Sequence, residues 1–122
     1  MIALWVVLAG SAGAVSRFVL DGVIRSRLKT EFPYATVVIN VVGSAILGVV
    51  AGLVTFRSAP EQVQAIVGVG FCGGFTTFST ASVETVRLLE RRRYGYAAYN
   101  AVGTALTTTA VAGVAMVVAA YM

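Results

Sequence analysis

The sequence predicts an all-α integral membrane protein with four transmembrane helices. Of its 122 residues, 58% are hydrophobic and 11% are charged, and the mean hydropathy is +0.88. A soluble domain of this length buries too small a fraction of its surface to hide so much apolar area. Four apolar runs reach the roughly 20 residues that span a bilayer core. We therefore expect one membrane domain over residues 1–122, with helices at about 2–24, 34–56, 63–89 and 96–121.

The basic residues mark the expected orientation in the membrane. Seven lie in or beside the first and third loops, and one lies in the second: Arg25, Arg27, Lys29, Arg87, Arg91, Arg92 and Arg93 against Arg57. Loops rich in Lys and Arg stay in the cytoplasm. The first and third loops are therefore expected on the cytoplasmic side of the cell membrane, with both termini outside. This pattern accounts for the net charge of +4, so lipid is an expected partner and nucleic acid is not.

The first helix is expected to be retained, because its apolar run has no basic segment before it as a signal peptide would. Gly10, Gly13 and Arg17 follow at spacings of three and four and share one face. Small residues allow close helix packing in membranes. Arg17 has two interpretations. It either extends to the interface, paired with Asp21, or attracts anions into a vestibule.

The second helix is expected to begin after Pro33 and to run from Tyr34 to Phe56. A stripe of small and polar residues repeats along it at every fourth position: Asn40, Ser44, Gly48 and Gly52. Such a stripe suits close packing at one end and hydrogen bonding at the other. Asn40 is either a hydrogen bond between helices or part of a polar path.

The third helix would be about 40 Å long if straight, which exceeds one bilayer core. We predict a break from Gly73-Gly74 through Thr80, leaving two half-helices whose ends meet near the middle of the membrane. The alternative is a straight helix that uses these residues only for packing. Farther along, Glu84 either forms an ion pair with Arg87 or has a functional role. With no His, one Cys and five scattered acidic residues, the chain shows no metal cluster and no catalytic dyad, and an enzyme is not expected.

The fourth helix carries a second polar stripe, in which Asn100, Thr104 and Thr108 repeat at every fourth position. Hydroxyl groups within a helix can bond to the carbonyl four residues earlier, so this stripe has a silent structural interpretation. The other interpretation is that it lines a path together with the second helix.

The motif of the third helix resembles the signature of the CrcB/Fluc fluoride channels. Its residues are Gly73-Gly74-Phe75-Thr76-Thr77-Phe78-Ser79-Thr80, followed by Ser82 and Glu84. Gly10-x-x-Gly13 with Arg17, and Asn40-x-x-Gly43-Ser44, look like that family's other motifs in order and spacing. The resemblance covers essentially the whole chain.

This resemblance implies a subunit of a fluoride-selective channel that exports cytoplasmic fluoride and so lowers its toxicity. It implies an antiparallel dimer with two pores and a structural sodium ion at its centre, held by the backbone carbonyls of Gly73 and Thr76. Six positions correspond to pore residues: Asn40, Phe78, Ser79, Thr80, Thr104 and Thr108. Arg17 and Glu84 correspond to positions in or near a vestibule.

One position departs from the family's pattern. A second phenylalanine is usual three residues after the first, and this chain has Ala81 there. Together with the uneven loop charges, Ala81 suggests a subunit of fixed orientation that pairs with a homologous second subunit. Two further functions stay open. One is a non-conducting scaffold or partner subunit, and the other is a small multidrug-type transporter, which would need a carboxylate embedded in its first helix.

Overall fold

The computed structural model describes residues 1–30 and 32–122, and within these ranges it contains helices and no strand. Four helices are long and apolar enough to cross a membrane. They are α1 (Ile2–Arg27), α2 (Tyr34–Phe56), α3 (Glu61–Glu90) and α4 (Tyr94–Ala120). The predicted fold class is therefore confirmed. The bounds of α2 match the expected ones, and the other three helices begin or end up to three residues from theirs.

The third helix is broken at Thr76 and Thr77, where the backbone is extended. Thr76 has φ −82° and ψ 160°, and Thr77 has φ −147° and ψ 119°. We call the part before the break α3a (61–75) and the part after it α3b (Phe78–Glu90). A π-helical segment lies in α3a at Gln64–Cys72, and a second one lies in α4 at Tyr99–Gly103. At 1.5 Å per residue each half of α3 is about 20 Å long, which puts the break near the middle of the span.

The break lies within the predicted stretch from Gly73-Gly74 through Thr80, but Gly73 and Gly74 are themselves still helical. Gly74 serves packing instead. A Cβ at Gly74 would collide with the backbone carbonyl of Gly10, and a Cβ at Gly13 would collide with the carbonyl of Phe71. The glycines of α1 and α3a therefore bring two backbones into direct contact. This arrangement favours a continuous helix through Gly74, since leaving the helix there would lose the contact.

A second close contact joins α2 to α4. Gly48 lies against the carbonyl of Ala112, and Gly52 lies against Met116 and Ala119. No side chain larger than hydrogen fits at either glycine without a shift of the neighbouring backbone. The end of the α2 stripe that contains Gly48 and Gly52 is thus a packing surface, as its sequence predicts. The chain forms two tightly joined pairs, α1 with α3a and α2 with α4, and the break in α3 lies beside α2.

Candidate functional site

The break in α3 is held by the side-chain amide of Asn40 on α2. Asn40 Oδ1 accepts a hydrogen bond from the Thr77 backbone N–H at 2.9 Å, and Asn40 Nδ2 donates to the Thr77 carbonyl at 3.1 Å. The approach depends on Gly43, one turn farther along α2, where a Cβ would collide with the Thr76 side chain. Lipid offers no partner to a freed peptide group, so an amide that bonds both groups of Thr77 makes the break tolerable in a membrane.

The start of α3b is capped by the hydroxyl of Thr77. Thr77 Oγ1 accepts the Thr80 backbone N–H at 3.2 Å, and the two hydroxyls of Thr77 and Thr80 bond to each other at 3.1 Å. This is an ordinary N-cap, in which a threonine hydroxyl takes one of the amides that the first turn leaves without a carbonyl.

These two arrangements release two backbone carbonyls. In a continuous helix the carbonyl of Gly73 would accept the Thr77 N–H, and the carbonyl of Thr76 would accept the Thr80 N–H. Here Asn40 takes the first donor and the Thr77 hydroxyl takes the second. The carbonyls of Gly73 and Thr76 therefore lose their helical donors, as do those of Gly74 and Phe75, because the chain is extended at Thr76 and Thr77. The sequence resemblance assigns two of these four carbonyls, Gly73 and Thr76, to sodium.

The break opens onto a groove of about 820 Å³ between α2, both halves of α3, and α4. The groove brings together six of the ten predicted site residues: Asn40, Gly73, Thr76, Phe78, Thr104 and Thr108. Phe78 is 87% exposed in the single chain, so its ring lies at the open side of the groove. Hydroxyl and amide groups from three helices thus face one space, as the second interpretation of the two polar stripes predicts.

The α4 side of the groove contains a buried asparagine, Asn100, which belongs to the polar stripe but is not among the predicted site residues. Asn100 is 3% exposed and lines the groove. Its Nδ2 donates to the Thr85 hydroxyl at 2.8 Å and to the Ala81 carbonyl at 3.2 Å, so it ties α4 to α3b. Its Oδ1 is buried and has no partner within the described part of the chain. The spacing of four residues to Thr104 was the signal that could have identified it.

The hydroxyls of the two predicted threonines on α4 bond to the backbone of their own helix. Thr108 Oγ1 donates to the Thr104 carbonyl at 2.9 Å, and Thr104 Oγ1 lies 3.5 Å from the Tyr99 carbonyl. Both side chains nevertheless line the groove. The hydroxyl hydrogens are bonded within the helix, as the structural interpretation of the stripe expects. The oxygen lone pairs remain free to accept hydrogen bonds from the groove.

Two predicted pore residues do not line the groove. Ser79 is exposed on α3b, and the Thr80 hydroxyl is bonded to Thr77 at the cap. Both residues lie in the first turn of α3b, directly after Phe78. The single chain brings neither of them to the space shared by Asn40 and the α4 threonines.

The two local ion pairs, each of which was one of two interpretations of the sequence, do not form. Asp21 pairs with Arg25 rather than with Arg17, and Glu84 pairs with Arg25 rather than with Arg87, with nitrogen–oxygen distances of 2.8 Å in both pairs. Arg25 also approaches the Thr36 hydroxyl at 3.4 Å. One guanidinium has five donors and can join several acceptors, which a spacing of three or four residues does not reveal.

Arg17 and Glu84 lie outside the groove, and each has one buried atom without a hydrogen-bond partner in the described part of the chain. The Nε of Arg17 and the Oε1 of Glu84 are buried and have no hydrogen-bond partner among residues 1–30 and 32–122. Neither residue lines the groove, although Arg17 follows Gly13 by one turn on the α1 face that packs on α3a. Within the same ranges no three His, Cys, Asp or Glu side chains are grouped as a metal site.

The fold and the groove define a class of small polytopic membrane proteins in which a broken helix and polar side chains form a site within the bilayer. The chain belongs to the CrcB-like family. The family described as "CrcB-like protein, Camphor Resistance (CrcB)" matches residues 4–121, which is nearly the whole chain.

Named relatives agree with this membership. The chain is 47% identical over 116 residues to "Fluoride-specific ion channel FluC 1" of Leifsonia xyli subsp. xyli, covering 95% of this chain and 85% of that protein. It is 52% identical over 88 residues to "Fluoride-specific ion channel FluC 2" of Cutibacterium acnes, covering 71% and 72%. It is 38% identical over 115 residues to "Fluoride-specific ion channel FluC" of Magnetococcus marinus, covering 93% and 94%.

Proposed function

We propose that this chain is a subunit of a fluoride-selective channel that lets cytoplasmic fluoride leave the cell down its electrochemical gradient. The observation that carries the proposal is the groove, where an amide, several hydroxyls and an exposed phenylalanine meet at the break in α3. The relatives' names, which describe fluoride channels rather than enzymes, support the choice of ion.

The groove needs a second subunit. It is open along one side in the single chain, and hydroxyl and amide groups facing hydrocarbon would lack partners. A second CrcB-type subunit packed on this side would cover the polar groups and the exposed ring of Phe78. We propose an antiparallel arrangement, since the resemblance implies one and since opposite orientations bring two mid-membrane breaks to the same depth.

The groove can replace the water around fluoride with hydrogen-bond donors. Asn40 uses Oδ1 and one Nδ2 hydrogen on Thr77, which leaves its second Nδ2 hydrogen for an anion. The hydroxyls of Thr104 and Thr108 can turn their hydrogens from backbone carbonyls toward the groove, at a net loss of about 1 kcal/mol for each bond. An aromatic ring is positive at its edge, so Phe78 presented edge-on favours an anion.

The remaining predicted residues have roles at the margins of this path. Ser79 and Thr80 lie outside the groove of the single chain, and their predicted pore role requires the space formed with a partner subunit. Arg17 has a buried, unpartnered Nε, which suits the predicted attraction of anions into a vestibule. Glu84 is proposed to position Arg25 and the end of α3b rather than to line the pore.

We further propose that sodium binds the carbonyls of Gly73 and Thr76. Neutral carbonyl oxygens suit a hard cation, and these two have lost their helical donors. Sodium would supply only a fixed positive charge that joins the two breaks. The residues of this chain do the rest, since Asn40 and Thr77 keep the carbonyls free of the helix.

The partner is proposed to be a homologous subunit of opposite orientation. Two observations support a heterodimer: the concentration of basic residues in the first and third loops, and Ala81 in the groove where the resemblance expects a ring. Relatives numbered 1 and 2 are consistent with paired subunits. The same loop charges support a cytoplasmic position for the first and third loops and an outer position for both termini.

Fluoride efflux from liposomes tests these proposals. The purified chain, alone and together with a homologous subunit, is reconstituted with internal fluoride, and release is followed with a fluoride electrode. Efflux that is rapid and independent of a pH gradient is expected for a channel. Efflux that requires a pH gradient would indicate a proton-coupled transporter. No efflux in either preparation would favour a scaffold, and robust efflux from the chain alone would refute the heterodimer requirement.

A further inference from the structure

A second cavity, of about 310 Å³, lies at the end of the helix bundle where the first and third loops meet. It is formed by the end of α1, the first loop, the start of α2 and the end of α3b. It shares no lining residue with the groove. Its polar lining consists mainly of charged side chains: Arg25, Lys29, Glu84, Arg87 and Arg91.

Among the described residues that line the cavity, four side chains are basic and one is acidic. Arg25 is paired with Asp21 and Glu84. The side chains of Lys29, Arg87 and Arg91 have no ion pair or hydrogen bond to another residue in the described part of the chain. Like charges around one small space repel one another, and an anion in the cavity would relieve this repulsion. The expected ligand therefore carries at least one negative charge.

Glu84 is already engaged in the wall of the cavity. Its Oε2 accepts from Arg25 at 2.8 Å, and its Oε1 is buried, so neither oxygen is open to a ligand. The groups that a ligand in the cavity would contact are therefore the basic side chains.

The position of the cavity points to the membrane interface as the source of the ligand. A helix of 26 residues is about 39 Å long, so the last turn of α1 extends past a hydrocarbon core of about 30 Å. Phe32 and Tyr34 line the cavity, with ring centroids 4.9 Å apart, and Phe32 also contacts Tyr96 and Tyr99. Clustered tyrosines are typical of the headgroup level of a bilayer.

We propose that this cavity binds the phosphate of an anionic membrane lipid headgroup. The phosphate bonds to Lys29, Arg87 and Arg91. Basic pockets between transmembrane helices on the cytoplasmic side are a known way to bind anionic headgroups. The proposal is independent of the fluoride pathway, because it uses none of the groove residues. It follows that the lipid joins α1 to α3b and stabilises the fold.

Lipid binding by the purified protein tests this proposal. The intact chain in neutral detergent is titrated with phosphatidylglycerol or phosphatidylcholine, and binding is measured by native mass spectrometry and by the shift in melting temperature. Phosphatidylglycerol is expected to bind and to raise the melting temperature, and phosphatidylcholine is expected to have little effect. The double variant K29Q/R91Q is expected to bind phosphatidylglycerol about 30-fold more weakly, given two lost contacts to the headgroup.

The matched control is R27Q/R57Q, which removes the same charge from exposed residues that do not line the cavity. Its phosphatidylglycerol affinity is expected to stay close to that of the wild type. Equal weakening in both double variants would show non-specific attraction and overturn the proposal. If K29Q/R91Q does not fold, the wild-type comparison still decides, since equal binding of the two lipids refutes an anionic headgroup site.

Soluble phosphates distinguish the two sources of the ligand. Glycerol 1-phosphate and inorganic phosphate are added to the wild-type protein at the lipid's concentration, and loss of bound phosphatidylglycerol is measured. Little displacement is expected, because the soluble compounds lack acyl chains that contact the helices. Full displacement at equal concentration would assign the cavity to a soluble phosphate compound and refute the lipid.

Discussion

Replacing Asn40 with alanine removes both hydrogen bonds that hold the break in α3. The Thr77 N–H and carbonyl, bonded at 2.9 and 3.1 Å, would then lack partners in an apolar environment. Hydrogen bonds between membrane helices contribute about 0.6 kcal/mol on average and up to about 1.7 kcal/mol, and an unsatisfied buried group costs about 1–3 kcal/mol. We expect N40A to lower the free energy of unfolding by about 1–3 kcal/mol.

The same substitution tests the proposed pore. The second Nδ2 hydrogen of Asn40 is a donor to fluoride in our proposal, and a hydrogen bond to a charged partner is worth about 1.5–3 kcal/mol. Efflux is therefore expected to fall about tenfold to a hundredfold. N40D is a second test of the donor, because a carboxylate offers none to an anion. It is expected to be poor in efflux and no more stable than N40A, since the carboxylate lies within the membrane and one of its oxygens faces the Thr77 carbonyl.

Melting in detergent and fluoride efflux from liposomes measure the two effects. Ser44→Ala is the control, since Ser44 lines the groove one turn farther along α2 and its hydroxyl has no hydrogen bond in the described structure. It is expected to be close to wild type in stability. Equal melting temperatures of N40A and S44A would refute the structural role of Asn40. Fluoride efflux through N40D equal to that of the wild type would refute its role as a donor.

Three further predictions address packing, charge and sodium. Gly74→Ala is expected to destabilise the protein by about 1–3 kcal/mol, because the added Cβ collides with Gly10. The control Gly22→Ala, whose Cβ would meet nothing within 4 Å, is expected to be neutral or stabilising by up to about 1 kcal/mol. Equal melting temperatures of the two variants would contradict this. Arg25→Gln alone is expected to destabilise the protein more than Arg25→Gln combined with Glu84→Gln, because the single change leaves a largely buried carboxylate without its partner. Thermal melting of the two variants checks this order, and a double variant less stable than the single one would refute it. Replacing sodium with N-methylglucamine is expected to lower the stability of the assembled channel by about 2.7 kcal/mol if sodium was at 100 times its Kd, and unchanged melting would argue against the ion.

Much of the fold follows from composition and local signals. The apolar runs specify four spans, and Pro33 before Tyr34 fixes the start of α2. The break in α3 could also be predicted to lie between Gly73 and Thr80, but not at which residues of that stretch. Gly73-Gly74 looks like the weakest point of the helix when read locally, while the structure places the break where Asn40 can satisfy Thr77. That choice depends on a side chain 37 residues away in the sequence.

The candidate site could be predicted in part, from polar residues that follow helical spacing and from the motif that indicates Gly73, Thr76 and Phe78. Asn40, Thr104 and Thr108 share the groove because residues four apart lie on one face. The ion pairs failed for a related reason. Spacing rules rank partners on the same helix, but Arg25 reaches across to α3b and pairs with the Glu84 carboxylate, for which spacing alone indicates Arg87.

The break at Thr76 and Thr77 also divides one helix dipole into two. A helix end carries a partial charge of about half an elementary charge, positive at the N-terminus and negative at the C-terminus. The carbonyl end of α3a and the amide end of α3b therefore meet near the middle of the membrane, with opposite signs two residues apart. This one interruption provides negative potential for a cation and positive potential for an anion, in a segment without a formally charged side chain from Gln62 to Val83.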